Sequence, residues 1–240
     1  MNPNQPAPSA ATFNAGVVTD PNQSEVQRQG LFDSLLYPTA GTLQLSFFNQ
    51  PPGSGVTTAP GAVAGTAKTA FDTNIQVQNS LPSGKAFQPH MIEIFVWPGS
   101  SAAANTFVLA NPAIFNATAA LAVAEQVSDV YAIENSGRLQ LGILDKTYVD
   151  ETPLLMFPQQ SGLSGDFAVG TAGTNAQPNE VGIVLIRCIG RAYKIGIPMT
   201  FSATQNFFVN LLWAGLVATP SGFNARIMVR LDGYFIRATQ

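Results

Sequence analysis

The chain has one cysteine, Cys188, and one histidine, His90. A lone cysteine excludes an intramolecular disulfide, and with a single histidine beside it the usual Cys/His zinc sites are excluded as well. Most metal chemistry and most catalysis by a histidine base go with them. Charge is scarce too: 10% of the 240 residues are Asp, Glu, Lys or Arg, against about a quarter in ordinary soluble domains. No apolar run approaches the ~18 residues of a membrane span, although 46% of the residues are hydrophobic, so the composition is that of a soluble protein with a core. Met1 to Ala11 (MNPNQPAPSAA) has neither the basic start nor the apolar centre of a secretory signal, which argues against export by that route. The net charge of −3 by itself predicts no affinity for nucleic acid or anionic lipid.

Asn, Gln, Ser, Thr, Gly and Ala occupy the places that charge leaves empty. Such a surface costs less to desolvate against a partner than a charged one, which points to a subunit of an assembly. The plainer reading is a monomer with an amide-rich surface.

Residues 1–30 carry Pro3, Pro6, Pro8 and Pro21 among Asn and Gln with little apolar period, so they read as an extended arm preceding a domain over 31–240. Within the arm Phe13, Val17 and Val18 are the apolar residues able to dock. From Val26 to Tyr37 (VQRQGLFDSLLY) the spacing fits a short amphipathic turn or helix closed by Pro38 and Gly41. Beyond Gly41 the period is two, as in half-buried strands. Leu43, Leu45 and Phe47 share a face; so do Ile92, Ile94 and Val96, with Met91, Glu93, Phe95 and Trp97 opposite. Leu139, Leu141 and Ile143 form another set, and Phe207, Val209, Leu211 and Trp213 a fourth. Ile227, Val229, Leu231 and Phe235 form the last. Gly- and Pro-rich connections are expected over Gln50 to Thr66, Pro98 to Ala104 and Pro158 to Asn179. An Ala-rich helix is expected from the Asn111 cap until Asn135 and Gly137 stop it. Gly41 to Leu45 (GTLQL) echoes Gly137 to Leu141 (GRLQL), a repeat that would divide the core into two similar halves.

No catalytic constellation emerges. His90 precedes a strand without a nucleophile beside it and reads as structural. Asp150 and Glu151 are adjacent, point apart if extended, and read as a solvated turn before Pro153. No phosphate-binding loop is present, and Cys188 in EVGIVLIRCIG reads as a small core residue. The expectation is a non-enzyme with no cofactor and no metal. Charge is nevertheless uneven: Arg187, Arg191, Lys194, Arg226, Arg230 and Arg237 against Asp232 give +5 in the last sixty residues, leaving −8 in the rest. Those cations either line a wall facing nucleic acid or phospholipid, or Arg226 and Arg230 simply lie on an exposed strand face and pair with acids from elsewhere.

The order of LQLSFFNQPPG, FDTNIQVQNSLPSGKAF, MIEIFVWPG, GRLQLGILDKTYVDETPLLMFP, NFFVNLLWAG and RIMVRLDGYFIRATQ resembles the jelly-roll major capsid proteins of tailless icosahedral bacteriophages. The resemblance implies an all-β Greek-key sandwich with an N-terminal arm and an inserted helix, one roll being favoured and two the alternative. It further implies self-assembly with other copies and other virion proteins into an icosahedral shell, made in the host cytoplasm, with weak contact to the genome or an internal membrane. On that reading Phe13, Val17, Val18, Leu31, Phe32, Leu35 and Leu36 dock on neighbouring subunits, and Arg187, Arg191 and Lys194 line the inner wall. The rival is a carbohydrate- or receptor-binding sandwich using Trp97, Tyr131, Tyr148 and Tyr234.

Overall fold

A computed structural model of the chain describes residues 24–59, 62–63, 65–101, 106–107, 128–151, 153–157, 162–164, 185–187 and 192–238. The strands in chain order are β1 (Ser24–Arg28), β2 (Leu31–Tyr37), β3 (Gln44–Phe47), β4 (Lys85–Ser101), β5 (Thr106–Phe107), β6 (Gly137–Ile143), β7 (Lys146–Glu151), β8 (Gly162–Ser164), β9 (Leu185–Arg187), β10 (Tyr193–Lys194), β11 (Phe201–Ser202), β12 (Phe207–Trp213) and β13 (Asn224–Ala238). A helix, α1, covers residues 128–136 and runs directly into β6.

The fold is all-β, with two antiparallel sheets facing one another across a common core. In the larger sheet the long strands β4 and β13 lie side by side; β1 and β2 pair with successive halves of β13, while β5, β10 and β11 pair with β4. The smaller sheet has the order β3-β12-β6-β7, and β8 and β9 form a separate pair. The alternation read from the sequence sets the inner faces. Ile92, Ile94, Val96, Ile227, Val229 and Leu231 of one sheet meet Leu139, Leu141, Phe207, Val209, Leu211 and Trp213 of the other in a single buried cluster. Ring contacts, such as Tyr37 edge-on to Trp213 at 4.9 Å and Phe201 stacked on Phe207 at 4.3 Å, fill the space between them.

Three local expectations are corrected. The helix expected over Val26 to Tyr37 is instead β1 and β2, because β13 is long enough to offer every residue of both a ladder partner, from Ser24 opposite Ala238 to Tyr37 opposite Ala225. The sheet therefore begins at Ser24, inside the segment read as arm. Pro98 is not the start of a connection: β4 continues to Ser101, held by Asn224 on one side and Phe107 on the other. Asp150 and Glu151 lie on β7 opposite Gln140 and Leu139, not in a turn, because β6 carries the ladder to that end.

The helix expected after Asn111 is present where the chain is described. It ends at residue 136, and Ile133 is buried in the core while its carbonyl accepts the Trp213 indole N–H at 3.1 Å. Asp129 accepts from the Ser221 backbone N–H at 2.9 Å and from its hydroxyl. These contacts fix α1 across one end of the sandwich. At the other end of β4, Asp232 faces Met91 and Gly233 faces Pro89, so His90 is the extra residue of a β-bulge. Gly233 is required there, since a Cβ would collide with the Gln88 carbonyl oxygen.

Candidate functional site

Strand alternation puts Leu31, Asp33, Leu35 and Tyr37 of β2 on one parity, which carries a carboxylate into the protein interior. Asp33 accepts the Lys68 ammonium at 2.6 Å, and both side chains are 0% exposed. It also accepts the backbone N–H groups of Phe48 at 2.7 Å and Ser34 at 3.0 Å. Burial raises the Asp33 pKa, and this outweighs the opposing pull of Lys68 and the hydrogen bonds. Four residues beyond Lys68, the buried Asp72 gathers the hydroxyls of Thr57 (2.6 Å), Thr58 (2.9 Å) and Thr69 (3.2 Å) and the N–H groups of Thr58 (2.6 Å) and Thr69 (3.0 Å). These bonds hold its pKa low against the cost of burial. Arg226 completes the region: it donates to Ser34 Oγ at 3.1 Å and the Phe71 carbonyl at 3.3 Å, with its guanidinium 5.1 Å from the Trp97 ring centroid. The effect is to clamp the turn-rich 48–74 segment onto β2 and β13. Asp33, Lys68 and Asp72 are closed to solvent, so the cluster works as an anchor for that segment.

The outer face of the larger sheet carries a second polar group. Arg230 meets Glu93 at 3.1 Å and Asp232 at 3.7 Å, and Arg28 meets Asp232 at 2.7 Å. The carboxylates are nearly covered whereas Arg28 is 66% exposed, so the guanidinium groups form the accessible surface of the ladder. Burial raises the Glu93 pKa despite Arg230. Arg237 likewise meets Glu25 of β1 at 2.6 Å. Arg230 and Arg237 are thus answered by acids from β1, β4 and β13 itself, as the reading of a paired strand face expected for Arg230. Arg226 differs, being buried without a carboxylate in contact, and burial lowers its pKa.

Of the proposed wall residues, Lys194 lies exposed on β10 opposite Met91, and Arg187 lies on β9 opposite Gly162. Arg191 and Cys188 fall outside the described residues, as do Phe13, Val17 and Val18. Leu31 belongs to its own subunit's core, which removes it from the candidate docking residues; Leu35 packs partly buried against the same core. Phe32 and Leu36 stay half-buried on the outer parity of β2. Trp97 stacks on Phe95 at 5.6 Å. Tyr131 is on α1, Tyr148 on β7 under Lys146, and Tyr234 beside His90, so the four aromatics of the binding-module reading sit on four separate elements. Sequence reasoning missed Asp33, Lys68 and Asp72; the available signal was a carboxylate at an inward parity among leucines.

Glu134 on α1 is the remaining perturbed acid. Its Oε1 is buried without a partner, and burial lifts its pKa to about 7. The fold therefore binds this proton more tightly than the unfolded chain does, and stability contributed by the neutral acid falls as pH rises from the ordinary value of 4.5 toward 7. Glu134→Gln is expected to remove that slope, raising the melting temperature at about pH 8 while leaving it little changed at about pH 4. A thermal-melt series against pH checks this; an unchanged slope would show that Glu134 is hydrated.

Among the described residues no helix is long and apolar enough to cross a membrane, and no group of three or more His, Cys, Asp or Glu side chains gathers as metal ligands would. No family model matches the chain, and neither a curated protein nor a solved structure matches it.

Proposed function

We propose that the chain is the coat subunit of an icosahedral shell, built on a single jelly roll. The nesting of strand pairs supports the jelly-roll part of the reading. With β1 taken as an extension of β2 along β13, and β5, β8, β9 and β11 set aside, the remaining strands in chain order nest: first with last (β2 with β13), second with seventh (β3 with β12), third with sixth (β4 with the two-residue β10) and fourth with fifth (β6 with β7). A long antiparallel hairpin wrapped around a barrel generates this order, and that is how two Greek keys make a jelly roll. The two LQL segments favour one roll over two, since β3 and β6 flank the same strand, β12, within one sheet.

Jelly rolls also serve lectins and cupins, so the fold does not choose the function. The surface does more. With 10% charged residues and large apolar side chains exposed at Phe71, Val63, Leu216 and Ile197, it has the low desolvation cost of a surface meant for contact. On this reading the segment preceding β1 straps neighbouring subunits together, and Arg187, Arg191 and Lys194 face the packaged genome. Electron microscopy and sedimentation of the purified chain test the proposal: capsomers or closed shells are expected. A strictly monomeric species at high concentration across salt and pH would overturn it, and glycan binding abolished by Trp97→Ala would favour the binding-module alternative.

A further inference from the structure

We propose that a pocket at the Arg237 end of the sandwich binds the carboxylate of a small organic acid with a short apolar stem. Two strand registers create the site. Arg237 of β13 lies directly opposite Glu25 of β1 on one side and Lys85 of β4 on the other. Like charges placed opposite one another across strands repel, and only one of the two is answered internally. Arg237 holds the Glu25 carboxylate through Nε at 2.7 Å and Nη2 at 2.6 Å. The Lys85 ammonium has no carboxylate or hydrogen-bond partner among the described residues. The row Glu25, Arg237, Lys85 therefore carries one uncompensated positive charge.

That charge borders a cavity and not a flat surface. Lys85 and Arg237 share the parity of Phe87 and Phe235, whose rings meet at 4.8 Å. Together with Leu31, Leu81 and Phe235 they line a pocket of about 90 Å³, whose wall also carries the polar side chains of Gln27, Gln29, Asn74 and Gln76. By this measure one water needs about 10–15 Å³, so the space suits a carboxylate with a stem of a few carbons. Charge sets the class of ligand: a monoanion balances the row, whereas a dianionic phosphate would leave it negative. The apolar part of the lining, Leu31, Leu81 and Phe235, sets the rest, since it rewards a methylene stem on the anion. The inference is independent of the coat reading, because the pocket lies within one subunit.

Calorimetric titration of the full chain with butanoate, inorganic phosphate and butan-1-ol at matched ionic strength tests it. Saturable binding is expected for butanoate, weaker by about tenfold or more for the alcohol and for phosphate. Lys85→Met keeps the stem and removes the charge, and should weaken butanoate by about tenfold without lowering the unliganded melting temperature. Lys85→Gln serves as the second variant should the first fail to fold. Absence of saturable heat up to about 10 mM, phosphate binding more tightly than butanoate, or an affinity unaffected by loss of the Lys85 charge would each overturn the proposal.

Discussion

Lys68→Met is expected to destabilise the fold by about 3–5 kcal/mol, the usual consequence of leaving one partner of a buried ion pair uncompensated. The Asp33 and Lys68 side chains have no solvent exposure, and their 2.6 Å contact spans 35 residues of chain. Removal of the ammonium leaves Asp33 with the Phe48 and Ser34 N–H groups but without a countercharge. Two controls separate the charge from the packing. Asp33→Asn in the Lys68→Met background removes the stranded charge and should recover most of the loss. The pH dependence supplies the other. Lys68 acts to lower the Asp33 pKa against burial, so its removal raises that pKa further. The folded variant then takes up a proton at higher pH than the unfolded chain, and stability should increase as pH falls from about 7 to about 5. Urea midpoints at the two pH values measure both effects. A loss below about 1 kcal/mol with no pH dependence would show that the 48–74 segment opens to let water reach Asp33.

Leu211→Ala should cost about 2–5 kcal/mol and abolish most soluble expression, through lost burial and the cavity left behind. Leu211 is fully buried at the centre of β12, between Leu45 of β3 and Leu139 of β6. Its neighbours on the inner face are held too, Val209 by ladders on both sides and Trp213 by pairing with Gly137 and a backbone N–H bond to the Leu43 carbonyl, which limits collapse into the void. Chemical denaturation of Leu211→Ala beside Leu212→Ala, whose side chain has the opposite parity and is half-buried, measures the difference. Equal losses at the two positions would contradict the assigned faces.

Strand faces were legible because parity is a local property. Once residues such as Phe207, Val209, Leu211 and Trp213 alternate with Asn and Leu, any extended conformation puts them on one side. The 26–37 segment shows the limit of that argument. Leu31, Phe32, Leu35 and Leu36 recur at spacings that fit a helix as well as they fit a strand, and a short run does not separate the two. What settled it was β13, fifteen residues long and able to pair with β1 and β2 in succession. Pro98 misled for a related reason, since proline is tolerated in a strand where no ladder bond from its nitrogen is needed.

The sequence by itself determined that the chain is built from half-buried strands and that a helix ends before Gly137. Only the tertiary structure decided where the charges go. Asp33 and Lys68, Arg28 and Asp232, Arg230 and Glu93, and Arg237 and Glu25 all come from separate strands or loops, and three of the four pairs join residues more than a hundred positions apart. A charge excess counted along the chain says where cations are encoded. Which acid answers each one depends on strand order and register, which are set by long-range packing of the two sheets: Arg230 finds Glu93 of β4 and Asp232 of its own strand, Arg237 finds Glu25 of β1, and Arg226 is buried without a carboxylate.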